Sequence, residues 1–238
     1  GHPAHRRRAA TGMTSVAGAA SRGTGPDVLG VTADSLSTVT STRSTKPGPR
    51  ERLLATATRL FSTNGIRAVG IDRILREAGV AKASLYNTYG SKDELVVADL
   101  RSVAERDRAL WQRRADASPD ARGRILALFD IVRERVEPAT PGSCHLAAAI
   151  EFPRPSTDGE RAIRAAVADQ RTWVAATLRA ELAGMGLQDP DNITDLADRL
   201  AILHDGSVTA AMLGEVRTTA MTARSMAELI LGLVTESS

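Results

Sequence analysis

From Pro49 onward, apolar side chains recur at three- and four-residue spacing, the period of helices that bury one face. Leu53, Ala57, Leu60 and Phe61 mark a first helix, entered at Pro47 and Pro49 and ended by Asn64-Gly65. Ile71, Ile74, Leu75 and Ala78 predict a short second helix with Gly70 as its N-cap. Gly79-Val80 then make a turn, Gly79 being free to take a positive φ, and a third helix runs from about Lys82 to Tyr89. Ser91 and Glu94 read as a capping box that opens a longer helix through Trp111. Further on, Ile125, Leu128, Phe129, Val132 and Val136 share a face that stops at Pro138. Pro141-Gly142 lead to a short apolar helix around Cys144–Glu151, closed by Pro153 and Pro155. Ile163, Val167, Gln170, Val174, Leu178, Leu182 and Met185 line a long helix over 158–185. Asn192 is expected to cap the next, with Leu196, Leu200, Leu203 and Ser207 on its face, and a last helix carries Ala223, Ala227, Ile230 and Val234. No run alternates β-branched and polar residues. The expected fold is all-α, about nine helices, divided into an N-terminal arm (1–48), a small head (49–95) and a larger helical body (96–238).

Composition changes the picture mainly at the N-terminus. Fourteen of the first forty-nine residues are Ser or Thr and none is aromatic, so the segment cannot bury enough apolar surface to offset its ordering entropy. A disordered arm is expected there, either passive or lending Arg43 and Lys46 to phosphate or minor-groove contacts. The formal charge of +3 is unevenly spread: net +4 over residues 1–49, +2 over 50–100 and −3 over 101–238. That asymmetry suits a nucleic-acid-binding head on a body with another task. Cys144 is the only cysteine, so no internal disulfide is possible and a reducing, cytoplasmic and nucleoid-associated setting is expected. No apolar run approaches the ~20 residues that span a bilayer, so no membrane partner is expected. Arg6-Arg7-Arg8 lacks the apolar core an export signal needs, and Met13 stands as an alternative start in a chain that opens Gly-His.

Two short helices joined by a tight glycine turn and followed by a longer helix form a helix-turn-helix, whose second short helix enters the major groove of DNA. Leu85, Ile74 and Val80 fit its core. Lys82, Ser84, Asn87 and Tyr89 supply polar and basic groups for bases and phosphates, while the short Ala83 lets the helix approach closely. Tyr86 offers a flat body and a hydroxyl for a phosphate oxygen. Lys92, in the first turn of the next helix, and Arg50, at the start of the first, are candidates to hold phosphates.

The run Ala78-Gly-Val-Ala-Lys-Ala-Ser-Leu-Tyr-Asn-Thr-Tyr-Gly-Ser-Lys-Asp-Glu-Leu95 resembles the signature of the TetR/AcrR family of bacterial transcriptional regulators. The upstream Ala55–Gly65 helix, with Leu60-Phe61 and Asn64-Gly65 at its end, is similar as well, so the likeness covers residues 49–100. It implies a homodimer that binds a palindromic double-stranded DNA operator, represses transcription, needs no cofactor or metal, and lets go when a small effector enters the body. Three positions depart from the family pattern: Ala81 where Ser or Thr is usual, Gly70 where Thr is common, and Thr88 where His is common. Without a hydroxyl at Ala81 the recognition helix lacks its N-cap, worth about 0.5–2 kcal/mol.

The body offers support of its own. Gly206-Ser-Val-Thr-Ala-Ala-Met-Leu-Gly214 carries small residues at helical spacing, which lets helices approach closely. Leu203, Gly206, Ser207, Ala210, Ala211 and Gly214, with Ala227, Ile230 and Val234 of the final helix, are the expected dimerisation face, either within a four-helix bundle or in ordinary intrachain packing. Trp111, Phe129, Val132, Ile150, Phe152 and Trp173 are expected to converge on a small, largely apolar effector, with His145 and Gln170 as polar anchors, or else to fill the core.

An enzyme is the rival class. Cys144-His145 and His204-Asp205 are possible nucleophile and acid–base pairs, but adjacent helical residues point in different directions. The four histidines and one cysteine show no metal-ligand spacing, and no glycine-rich phosphate loop is present. A non-enzymatic regulator is therefore expected, the alternative to an effector-released one being a DNA-binding dimer with a filled, ligand-blind body.

Overall fold

The computed structural model describes residues 47–134, 144–212 and 216–235, all within the second of the chain's two units, Thr45–Ser238. The described residues form nine helices and no strand: α1 (Pro49–Asn64), α2 (Ile71–Ala78), α3 (Lys82–Tyr89), α4 (Lys92–Ala117), α5 (Ala121–Glu134), α6 (Cys144–Glu151), α7 (Asp158–Gly184), α8 (Pro190–Met212) and α9 (Val216–Thr235). The all-α expectation holds. Pro47 and Gly48 apart, the arm lies outside the described residues, as do Val136, Pro138, Pro141-Gly142 and Gly214.

Local chemistry accounts for most of the ends. Gly70 caps α2, and Gly79 terminates it in the left-handed region (φ 60°, ψ 43°), its N–H turned back to the Arg76 carbonyl. Ser91 Oγ accepts the Glu94 N–H at 3.0 Å, so α4 starts where its cap predicts. Two boundaries differ from expectation. Helix α4 continues past Trp111 to Ala117, since nothing breaks it before Ser118-Pro119. Helix α8 begins at Pro190, with Asp189 Oδ1 accepting the Asp191 N–H at 3.1 Å, so Asn192 lies inside the first turn and caps nothing.

Helices α1–α3 enclose Leu53, Leu60, Phe61, Ile66, Ile74 and Leu85. That core does not end at residue 95. It continues through Leu95, Val96, Val97 and Leu100 of α4 to Cys144, Ala148, Phe152, Ile163 and Val167 in and beside α6 and α7. A second core joins Ile125 and Phe129 of α5 to Leu178, Leu196, Leu200, Ala227 and Leu231 of α7, α8 and α9.

One polar group sits inside the shared core. Asp99 of α4 is 1% exposed and contacts Thr58 Oγ1 of α1, while the Cys144 thiol of α6 hydrogen-bonds to the same carboxyl. Burial raises the Asp99 pKa against the opposing pull of Thr58, Arg106 and Cys144. Thr58 has one hydroxyl proton and two oxygen neighbours, the Leu54 carbonyl at 2.9 Å and Asp99. The Thr58 hydroxyl donates to both, its one proton shared between the Leu54 carbonyl and the Asp99 carboxyl.

A raised carboxyl pKa stabilises the fold fully below the ordinary value of 3.8, and that contribution is lost as pH rises through the folded-state pKa. Asp99→Asn, which keeps a neutral donor and acceptor, is therefore expected to raise the Tm at pH 7 and to flatten its decline from acid to neutral pH. For a chain of this size each kcal/mol recovered is worth about 2–4 °C. Asp99→Ala strands Thr58 and Cys144 and should lower Tm at every pH. Thermal melts from pH 4 to 8 check both; an Asn variant with the parent's pH profile would mean that Asp99 is ionised in the fold.

Candidate nucleic-acid interface and body cavity

Helix α3 divides cleanly. Leu85, fully buried, is its only core residue; Ser84 and Tyr89 are half-buried, and Lys82, Ala83, Tyr86 and Asn87 face solvent. Those four, at positions i, i+1, i+4 and i+5, form one stripe along the helix. Tyr86 is 43% exposed, more than a large side chain in a packed head otherwise keeps. Ala81 makes no side-chain cap bond, as its side chain dictates.

Tyr89 and Lys92 are placed differently from the outward stripe. The Tyr89 hydroxyl donates to the Arg50 carbonyl at 3.1 Å, with the Arg50 guanidinium 5.9 Å from the ring, so Tyr89 ties α3 to α1. Lys92 Nζ donates to the Ile66 carbonyl at 2.7 Å, and burial holds its pKa below the usual lysine range. Arg50 itself remains exposed at the rim. Sequence reasoning misses Arg52, whose Nε donates to the Ala78 carbonyl at 3.1 Å and whose Nη1 donates to the Pro47 carbonyl at 2.8 Å. It closes the end of α2 and fixes the turn before α3, a role visible only once the two helices are packed.

Below the head, the α1–α2 loop is held by the body. Glu151, the last residue of α6, accepts the Ile66 N–H at 2.8 Å on one carboxylate oxygen and the Arg67 N–H at 2.6 Å on the other. Arg67 answers with Nε on the Glu151 carbonyl at 2.8 Å, Nη2 on Glu160 at 2.8 Å, and its guanidinium 4.4 Å from the centre of the Phe152 ring. Glu160 is held down to about 2 by the N–H and hydroxyl of Ser156, then by Arg67. Gly65 sits at φ 84°, a conformation other residues rarely adopt, and a Cβ there would also come within 2.9 Å of Glu151 Oε1.

A cavity of about 760 Å³ opens between α4, α5, α6, α7 and α8. Leu128, Ile131, Leu146, Ala149, Val167, Val174 and Ala201 give it an apolar wall, and of the residues expected to meet an effector His145, Gln170 and Trp173 line it. The other expected aromatic and aliphatic lining residues lie elsewhere. Phe129 and Val132 are buried in the core, Phe152 lies under Arg67, and Ile150 is exposed to solvent. Trp111 donates its indole N–H to the Arg124 carbonyl at 3.1 Å and meets Trp173 edge-on at 5.9 Å, standing behind the wall. The lining is also more polar than its sequence implies. Asp107 of α4 accepts from Gln170 Nε2 at 3.4 Å, and the ion pairs Arg171–Asp205 (2.9 Å) and Arg179–Asp198 (3.2 Å) join α7 to α8. Burial pushes the Asp205 carboxyl up, but His204 and Arg171 outweigh it and hold it below the ordinary range.

Both sequence-adjacent pairs lie nearer than helix spacing implies: Cys144 Sγ is 4.0 Å from His145 Nδ1, and His204 Nδ1 is 3.9 Å from Asp205 Oδ1. The thiol is buried, points to Asp99, and is not part of the cavity wall.

On α8 and α9 the small residues turn partly inward. Ser207 is buried, its hydroxyl on the His204 carbonyl, and Ala227 is fully buried; Leu203 and Ile230 pack half-buried against the same core. Ala210 and Ala211 are half-buried and Gly206 is exposed; the Val234 side chain lies outside the described residues. Facing outward are Ile202 on α8 and Met221, Met226, Leu229 and Leu233 on α9. No helix among the described residues is long and apolar enough to cross a membrane, and no group of three or more His, Cys, Asp or Glu there could hold a metal ion.

A helix-turn-helix head with an outward basic and aromatic stripe, set on a hollow helical body, defines a class of DNA-binding transcription regulators. Residues 53–98 match the family described as bacterial regulatory proteins, tetR family. The structure superposes on a TetR-family transcriptional regulator from Streptomyces coelicolor (SCO4454) with a TM-score of 0.68 and 33% identity, over 77% of this chain and 94% of that one. Among curated relatives, the HTH-type regulator YxaF of Bacillus subtilis is 36% identical over 30% of this chain, and BetI of Rhizobium meliloti 35% identical over 36%. Those two matches span only 38% and 42% of the relatives' own lengths. The chain belongs to the TetR family of transcriptional regulators.

Proposed function

We propose that this protein is a homodimeric repressor that binds a palindromic operator through residues 49–95 of each subunit and releases it when a small, largely apolar molecule enters the body cavity, residues 96–238 forming the effector-binding and dimerisation domain. The observation that carries the DNA-binding part is the stripe of Lys82, Ala83, Tyr86 and Asn87, presented outward by a helix anchored on its other side. Ser84 and Arg50 flank it. The Tyr89 hydroxyl and the Lys92 ammonium already hold backbone carbonyls, so they act by setting the pose of α3 and α4. The effector part is supported by the 760 Å³ cavity, within the size range of small-molecule sites. The exposed apolar face of α8 and α9 supports the dimer.

Fluorescence anisotropy on DNA from upstream of the protein's own gene, with a scrambled duplex as control, tests the reading across a salt series. Specific binding that weakens steeply with salt is expected, because phosphate neutralisation releases counterions. Lys82→Ala should weaken all duplexes about equally and reduce the log–log salt slope by about 1 per head. Asn87→Ala should instead change which operator is preferred, at a cost of about 1–3 kcal/mol on the base pair it reads. Equal affinity for operator and scrambled DNA, confirmed by selection from a random library, would remove the repressor reading.

A further inference from the structure

Leu85, 0% exposed, fixes which side of α3 faces the head. Each helical residue turns about 100°, so the positions two before and two after Leu85 both lie about 160° from it. Those positions are Ala83 and Asn87, and both face solvent. Four residues apart, they form the outermost line of the helix, with about 6 Å of rise between them. Lys82 and Tyr86, again four apart, form a second line on one flank of it. The outermost line therefore carries no charge, only one methyl and one carboxamide. That amide is also unengaged. Asn64 donates to the Leu60 carbonyl at 3.2 Å and accepts from Arg73 at 3.2 Å, whereas no described residue hydrogen-bonds the Asn87 side chain.

We infer that Ala83 and Asn87 are the specificity-determining pair of α3, and that each operator half-site offers them a thymine methyl and, within two base-pair steps, an adenine. This rests on the DNA-binding reading above and names the bases to be read. Phosphates attract cations, which Lys82 supplies on the flanking line, and they carry no sequence information. In the major groove a carboxamide, with donor and acceptor side by side, matches adenine, whose N6 amino group donates beside the accepting N7. A methyl side chain has one counterpart there, the C5 methyl of thymine. The 6 Å of helix rise between the two residues spans about two base-pair steps at ~3.4 Å each. The two residues also depend on each other. Asparagine carries its amide on a single methylene, so it reaches a base edge only when the helix backbone lies close. Ala83, on the same line, permits that approach. A longer side chain there would hold the helix off and leave the Asn87 amide short of any base.

Selection of bound duplexes from a random library by the full chain, then anisotropy on base-modified versions of the selected sequence, tests the pair. Uracil in place of the read thymine removes only the methyl and should weaken binding about threefold to fivefold per half-site, the worth of one buried methyl. Deazaadenine lacking the N7 acceptor, in place of the read adenine, should weaken it about tenfold. In Ala83→Gly the thymine-to-uracil ratio should fall to unity. That ratio is taken within one protein, so the helix stability that glycine costs cancels from it. In Asn87→Ala the adenine-to-deazaadenine ratio should fall to unity while the uracil effect stays. Ala83→Leu should lose both. A selected half-site without this thymine and adenine, or a modified-base effect that survives in the matching variant, overturns the inference and leaves operator binding standing. A library from which no specific sequence is recovered removes the DNA-binding reading and the pair together.

Discussion

The double variant Leu229→Glu, Leu233→Glu should be monomeric and should lose operator affinity by at least a hundredfold, with helix content unchanged. The two leucines are 65% and 67% exposed, and at i and i+4 they lie on one face of α9. Met226 extends that face, and α9 packs against α8, where Ile202 is 71% exposed beside the open Gly206. Side chains of this size gain about 1.5–3 kcal/mol each when fully buried, which the proposed dimer would supply. Glutamates across a two-fold axis meet like charges in the same place, so the substitution both removes attraction and adds repulsion. Because neither leucine contributes to its own chain's core, the monomer should still fold. The effect on DNA binding exceeds the energy of the interface itself, since a linked second head makes the second half-site an intramolecular event worth about 10²–10⁴ in avidity. Sedimentation equilibrium and anisotropy on full and half operators check it. A variant that stays dimeric, or a parent already monomeric at the same operator affinity, would relocate the interface or abolish it.

Leu85→Ala should abolish operator binding by another route, by melting the recognition helix. Leu85 is fully buried and is the only buried residue α3 has. Truncating such a leucine costs about 2–5 kcal/mol, from lost transfer energy and the cavity left behind. Eight residues do not hold a helix alone in water, so α3 exists by being docked. It also lacks a side-chain cap at Ala81, which leaves less local stability to absorb the loss. The expected result is loss of amide protection over Lys82–Tyr89 and at least a hundredfold weaker DNA binding. The second core, built from α5, α7, α8 and α9, should keep its protection, because Leu85 belongs to the other cluster. Retained operator affinity in a folded Leu85→Ala protein would mean that α3 is not the element read by DNA.

The contrast between Leu85 and Glu151 shows where the sequence is legible. Leu85, Ile74 and Val80 announce themselves through spacing, as do the caps at Gly70 and Ser91 and the left-handed turn at Gly79. Asn192 misleads because a Pro just inside a helix start outweighs an Asn two residues further on. For the cavity lining, aromatic character is a poor guide: Phe129 and Phe152 are large enough to be claimed by the core and by Arg67, and Trp173 alone of the aromatics lines the cavity. In the same way Ser207 and Ala227 have the small size an interface uses, yet the phase of α8 and α9 turns them into their own chain's core.

Local pattern was therefore enough for the helices, the glycine turn and the family, because each depends on residues three or four apart competing for the same backbone groups. Packing alone decided that Lys92 serves the Ile66 carbonyl, that Asp99 is shared by α1, α4 and α6, and that Glu151 holds a loop 84 and 85 residues upstream. A lone Glu at a helix end carries no mark of its partner. Its carboxylate becomes the joint between head and body only when the folded chain brings two neighbouring N–H groups within its reach.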